Sequence, residues 1–263
     1  MSTVRDKLTN MFSKVMAGTV TREEGTMLLN FLAKEDQVGT IKELVHLIDN
    51  PPQGVFPKTI LHTISLSRNK LFYNIMVGSL EHKNEDVSIL AAQELARLKT
   101  SDAKNVLVEH LNSEAYHVRK ASAIALVQGF GEGVEIVKKH LMEHSEPFYR
   151  STSAQALATA GRRGMDALLT VLNSGDAASV ASAAESIMNA VSSLDGADIP
   201  KIFEALMSAG DKKDSRTIVE LLKVAASLGS RAKGFEGYVQ AFLDYPFDQV
   251  KQEARDALRQ IRS

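Results

Sequence analysis

The sequence predicts an all-α fold, a right-handed α-α superhelix (α-solenoid) of helical hairpins, on three observations. Phe56, Val87, Val118, Tyr149 and Val180 follow one another at an identical step of 31 residues. The same short word begins at four of them, VSILAAQEL, VRKASAIAL, YRSTSAQAL and VASAAESIM, with small residues inside and an apolar residue eight positions after the first. No segment shows sustained two-residue alternation with β-branched side chains, which a strand would need. A fixed period of this length marks stacked supersecondary units whose core grows by addition.

The elements follow in chain order. Val4, Leu8, Met11, Phe12 and Val15 lie on one face of a helix that serves as an end cap. Thr21 and Glu24 have capping-box spacing at the head of TREEGTMLLNFLAKED, in which Leu28, Leu29 and Leu32 form a stripe, and GTIKELVHLID supplies the second helix. These residues, 1–50, are an atypical first unit.

Regular repeats are expected over 51–210. With the leading residue counted as position 0, positions 0, +3, +4, +7 and +8 fall on one helical face. In the third unit these are Val118, Ala121, Ser122, Ala125 and Leu126, and the small members allow close helix contact. Pro57 sits just inside the helix opened by Phe56, where its missing N–H costs little. Turns at Gly129–Gly133 and Gly161–Gly164 lead into second helices carrying Val137 and Leu141, or Leu168 and Leu172, and Asn112-Ser113 and Asn173-Ser174 end such helices.

After Val180 the register slips. DGADIPKIFEAL lengthens the second helix or its approach, and DKKDSRTIVELLKVAASLG starts a looser sixth unit. The word returns as VKQEARDAL at Val250, with Lys251, Glu253, Arg255, Asp256, Arg259 and Arg262 on its other faces, as a solenoid end needs in water. Residues 211–263 thus read as a degenerate repeat and cap of a single domain, 1–263, with residues 49–54 and 208–214 its flexible points.

Composition narrows the function classes. The charges nearly balance, 31 basic against 32 acidic, so no global field draws the chain to nucleic acid or an anionic membrane. Cysteine is absent, which excludes disulfides, thiolate zinc sites and thiol nucleophiles. The amino-terminal stretch lacks the apolar run of a signal peptide, and a soluble, cytoplasmic chain is the expectation.

With VRKASAIAL set beside its neighbours, the chain resembles HEAT repeats, in particular the short HEAT-like repeats first associated with phycobilisome lyases. The resemblance is good over 85–189, fair over 51–84 and 246–263 and weak elsewhere. It implies an α-solenoid whose word-bearing helices line the concave side, a repeat widespread in scaffolds and adaptors. A family hallmark is an arginine directly after the leading apolar residue, usually bonded to acids in the inter-unit turns. Arg119 and Arg150 keep it and Lys251 does so loosely, with Asp86, Glu114 and Glu146 in the turns, whereas Pro57, Ser88 and Ala181 break the ladder. A structural role is expected of these arginines.

Seven histidines raise the question of a metal, and three stand in Glu81-His82, Glu109-His110 and Glu143-His144. Deoxyhypusine hydroxylase, a di-iron enzyme of related repeats, uses His-Glu pairs, but the order here is reversed. His82 and His144 are two whole units apart, about 20 Å along a stack that advances about 10 Å per unit, too far to share one ion. His46, His110 and His140 each precede a core leucine as boundary residues. GFGEG at 129–133 follows no strand and lacks the dinucleotide spacing, so it reads as a turn. HEAT-like DNA glycosylases use a basic, aromatic concave surface, whereas this chain has no tryptophan, and Lys138-Lys139 and Arg162-Arg163 lie on a second helix and in a turn. No catalytic residue, metal or cofactor is therefore expected.

The exposed positions of the word form rows across units. Position +2 reads Lys58, Ile89, Lys120, Ser151, Ser182; position +6 reads His62, Gln93, Ile124, Gln155, Ser186; position +9 reads Ser65, Ala96, Val127, Ala158, Asn189. Lys58, His62, Ile89, Gln93, Lys120, Ile124, Val127 and Gln155 are the candidate binding residues. Apolar anchors among short polar groups suit a protein or peptide partner better than a phosphate backbone. The same apolar residues could instead be buried by the neighbouring unit, and both readings stand at this point. The expectation is a non-enzymatic scaffold or adaptor for a protein partner. The alternatives are a lyase-like factor handling a bilin and a HEAT-type metal hydroxylase.

Overall fold

The computed structural model describes residues 3–174 and 176–263, and every regular element among them is helical. No described helix is long and apolar enough to cross a membrane. The chain forms two compact units, Met1–Phe130 and Gly131–Ser263.

The first unit holds α1 (Val4–Met16), α2 (Arg22–Glu35), α3 (Gln37–Asp49), α4 (Pro57–Ser67), α5 (Tyr73–Leu80), α6 (Glu85–Leu98), α7 (Ser101–Glu109) and α8 (Tyr116–Gly129). Capping chemistry sets their starts. Thr21 accepts the Glu24 N–H at 3.2 Å while the Glu24 carboxylate accepts the Thr21 N–H at 2.8 Å, the box expected from the sequence, and Thr3 with Asp6 builds a second one. Both acids are held below the usual carboxylate range by these hydrogen bonds. Helices α2, α4, α6 and α8 pack side by side as one layer, and α1, α3, α5 and α7 pack against them as hairpin partners. Leu8, Phe12, Leu29, Leu44, Ile60, Leu61, Ile64, Leu80 and Leu95 form the core between the layers.

In the second unit the corresponding first helices are α10 (Pro147–Ala158), α12 (Ala177–Asn189), α14 (Ser215–Leu228) and α16 (Asp248–Arg262). They again pack in sequence, with α9 (Gly133–Glu143), α11 (Gly161–Ser174), α13 (Ile199–Asp211) and the short α15 (Glu236–Gln240) as the other layer. Each unit is thus the hairpin stack of an α-solenoid. Gly164 lies in the first turn of α11 rather than in the preceding turn, and no other residue fits there, because a Cβ would stand 1.8 Å from the Leu157 carbonyl oxygen.

Three sequence expectations are corrected. Phe56 caps α4 but does not pack: it is 59% exposed, because Pro57 delays the helix until the residue after it. Leu29 and Leu32 are buried on α2, whereas Leu28 is turned to solvent. In α12 the burial pattern puts Ser179, not Val180, in the leading position, since Ser179, Ala183, Ser186 and Ile187 match Val118, Ser122, Ala125 and Leu126 of α8. The step from Tyr149 is therefore 30 residues in the fold, although the valine stands at 31. Beyond α12 it is the approach to α13 that lengthens, through 3-10 turns at Val191–Ser193 and Gly196–Asp198. Arg162 clamps that approach, bonded to Asp198 at 2.6 and 2.7 Å and to Asp195 at 2.9 Å.

Candidate functional site

The turns between repeats explain the conspicuous basic residues first. Five positions before the leading residue, His82 and His144 each accept a backbone N–H two residues on, both at 3.0 Å, and Ser113 does so at 3.3 Å in the unit between. Glu81-His82 and Glu143-His144 thus end second helices by a turn that a ring nitrogen or a hydroxyl can cap equally. The arginine of the word folds back on this turn. Arg119 donates to the carbonyls of Ser113 at 2.7 Å and Glu114 at 2.8 Å, and Arg150 donates to the His144 carbonyl, to Asp176 at 2.6 Å and to the Ser179 hydroxyl at 2.8 Å. Burial works against the Asp176 charge, but the Ser179 N–H and Arg150 outweigh it and hold the carboxyl low. These arginines are structural, as expected.

One pairing in the second unit has the composition of a nucleophilic site. Ser153 Oγ lies 2.8 Å from His140 Nδ1, yet Ser153 is 1% exposed and no substrate carbonyl could reach it. Among the described residues no three His, Asp or Glu side chains stand together as a metal site would require.

The first helices present the surface. Along α4, α6 and α8 the positions open to solvent are +2, +6 and +10, one helical turn apart. Lys58 and Gln93 are exposed, and His62, Ile89, Lys120 and Ile124 are half-buried, so these six candidates of the first unit share one stripe. Val127 does not belong to it. At 5% exposure it is core, as Ser65 and Ala96 of the same row are. Gln155 lies on α10 of the second unit, half-buried, with its amide 3.3 Å from the Ser151 hydroxyl.

Two features of this stripe escaped sequence reasoning. The first is on α2, where Met27 and Phe31 stand 72% and 56% exposed at +2 and +6, beside the exposed Leu28. A step of 31 back from Phe56 reaches Gly25 and assigns them to those rows, but the unit lacks the word and its rows were not evident. The second is a charged cluster. Glu94, at a +7 position filled by Thr63 and Ala125 in the neighbouring units, is 3% exposed. Its carboxylate meets His62 Nδ1 at 3.2 Å and the Arg97 guanidinium at 2.9 Å. Arg97 occupies +10, so the cluster surfaces on the stripe. The first unit therefore offers a face that grades from apolar at α2 to charged at α4 and α6, then to Ile124 and Gln128 on α8.

No family model and no curated protein matches the chain. Among solved structures it is similar to an engineered protein, at 23% identity and a TM-score of 0.39 over 72% of this chain and 96% of that one. Human deoxyhypusine hydroxylase in complex with glycerol is 16% identical with a TM-score of 0.41, covering 98% of this chain and 97% of the enzyme. Kap121p is 13% identical with a TM-score of 0.41, the match taking in 96% of this chain and 33% of Kap121p. At such identities and scores the likeness bears on no residue and no activity of this chain.

Proposed function

We propose that this helical repeat protein is a non-enzymatic scaffold or adaptor that binds a protein partner through the exposed stripe of α2, α4, α6 and α8. The observation that carries the reading is the pair Met27 and Phe31, large apolar side chains left in water on the rows where the other first helices place polar or half-covered groups. An aromatic anchor beside a methionine, with Lys58, His62 and Arg97 on the helices that follow along the same stripe, has the composition of a protein interface. Side chains of this kind supply most of the binding energy when a partner desolvates them. The buried Glu94 fits the same reading, because it fixes His62 and Arg97 in place before a partner arrives.

The scaffold reading is preferred to a bilin-handling factor because repeat length alone suggested the bilin, whereas the stripe is a property of these side chains. It is preferred to a hydroxylase because His82 and His144 each cap a turn, while His110 Nδ1 is spent on the Val106 carbonyl at 2.8 Å. Capture from native cells with the wild-type chain and with a Met27→Glu/Phe31→Glu variant, followed by mass spectrometry, tests it. A partner retained by the wild type and lost by the folded variant is the expected result, and identical captures would refute it.

A further inference from the structure

A cavity of about 440 Å³ opens in the first unit where the turn after α4 meets the turn between α6 and α7. Ile64, Met76 and Leu98 give it an apolar wall, and Arg68 and Lys70 stand over it from the α4 turn. That size and lining are those of small-molecule pockets. Three further features distinguish it from a packing gap.

The first is an unused cation. Arg68 ends α4 in the left-handed region, with φ of 49°, and Lys99 ends α6 in the same way one repeat later, with φ of 56°. Lys99 is committed: its ammonium bonds the Gly129 carbonyl and lies 5.7 Å from the centre of the Phe130 ring. Arg68 occupies the equivalent position, and neither it nor Lys70 forms a side-chain hydrogen bond or ion pair among the described residues. The second is an orphan donor. Tyr73 lines the cavity, and its hydroxyl oxygen is buried with no hydrogen-bond partner. Burial, and secondarily the Asp102 charge, push its pKa upward, so the phenol keeps its proton at neutral pH. A buried hydroxyl left unpaired costs free energy that a ligand acceptor would return. The third is Asp102 itself, which brings a negative charge to the cavity from α7 and disfavours a second anionic group on the occupant.

We propose that this cavity binds a small organic anion with an apolar, aromatic-sized body and its charge at one end, the anionic group on Arg68 and Lys70 and an acceptor atom on the Tyr73 hydroxyl. The site lies apart from Met27 and Phe31 in sequence and row, and the proposal is independent of the partner-binding stripe.

Fluorescence titration of the full chain with 6-(p-toluidino)naphthalene-2-sulfonate, an aromatic body with one terminal sulfonate, tests it. Saturable one-site binding is expected. Arg68→Asn combined with Lys70→Ala should weaken it about tenfold, since charge-assisted hydrogen bonds are the strong ones and asparagine tolerates the left-handed backbone. Tyr73→Phe carries the sharper signature: it should weaken binding several-fold while leaving the free protein as stable as wild type or more so, because an orphan hydroxyl has been removed. Met27→Glu/Phe31→Glu should leave the titration unchanged. The proposal is overturned if no saturable binding occurs, if the Arg68, Lys70 and Tyr73 variants bind as the wild type does, or if the dye is lost with Met27 and Phe31 instead.

Discussion

Glu94 faces His62 with both carboxylate oxygens, each 3.2 Å from the imidazole Nδ1, although Glu94 is shut away from solvent. A carboxylate in that position is stable only while its partners remain, and Arg97 supplies the second at 2.9 Å. Arg97→Ala leaves the buried carboxylate with His62 alone and is expected to destabilise the protein by about 2 to 4 kcal/mol. His62→Ala should cost less because Arg97 still satisfies the carboxylate. Urea denaturation of the two variants checks the order.

Neighbouring positions on α8 separate surface from core. Ile124→Glu places a charge on the open stripe and should leave the fold intact, within about 1 kcal/mol of wild type. Val127→Glu buries an unpaired carboxylate in the core and should unfold the unit or cost about 4 kcal/mol or more. Circular dichroism against temperature distinguishes the outcomes.

The position after the leading residue is occupied with opposite effect in two of the repeats. Arg150 satisfies a carbonyl, a carboxylate and a buried hydroxyl, so Arg150→Ala should cost about 2 to 3 kcal/mol. Ser88, the equivalent residue on α6, buries a hydroxyl with no partner. Ser88→Ala should therefore be neutral or stabilising by up to about 1 kcal/mol. Chemical denaturation midpoints report both.

Acid stability should depend on Asp198. Hydrogen bonds from Arg162 lower its carboxyl to about 2 against the opposing effect of burial, and the aspartates in turn raise the Arg162 pKa. A depressed native pKa means stability that is full above the unfolded value near 3.8 and is lost as pH falls towards 2. The contribution is about 2 kcal/mol. Asp198→Asn should lower stability at pH 7 and flatten its decline between those limits, measured by thermal melts in a pH series.

The repeat step made most of the architecture legible, since a residue every 31 positions has to occupy equivalent places in a stack. Phase was harder. Val127 lies only about 60° round α8 from Ile124, and that is enough to carry it from the half-buried stripe into the core. Ser179 was hidden because VASAAESIM is built largely of small residues that fit the core in either register, and the burial pattern of α12 decides between them. Glu94 was masked by chemistry, since a lone glutamate in an amphipathic helix ordinarily faces water. Met27 and Phe31 stood in a unit without the word, where rows could not be read by resemblance.

Whether the stripe bearing Met27 and Phe31 is the partner surface is decided by the affinity of a captured, purified partner for wild type and for Met27→Glu/Phe31→Glu, measured by titration calorimetry. With both proteins equally helical, the variant should lose about a hundredfold or more, the scale of a buried aromatic anchor. Equal affinities for the two proteins would contradict it.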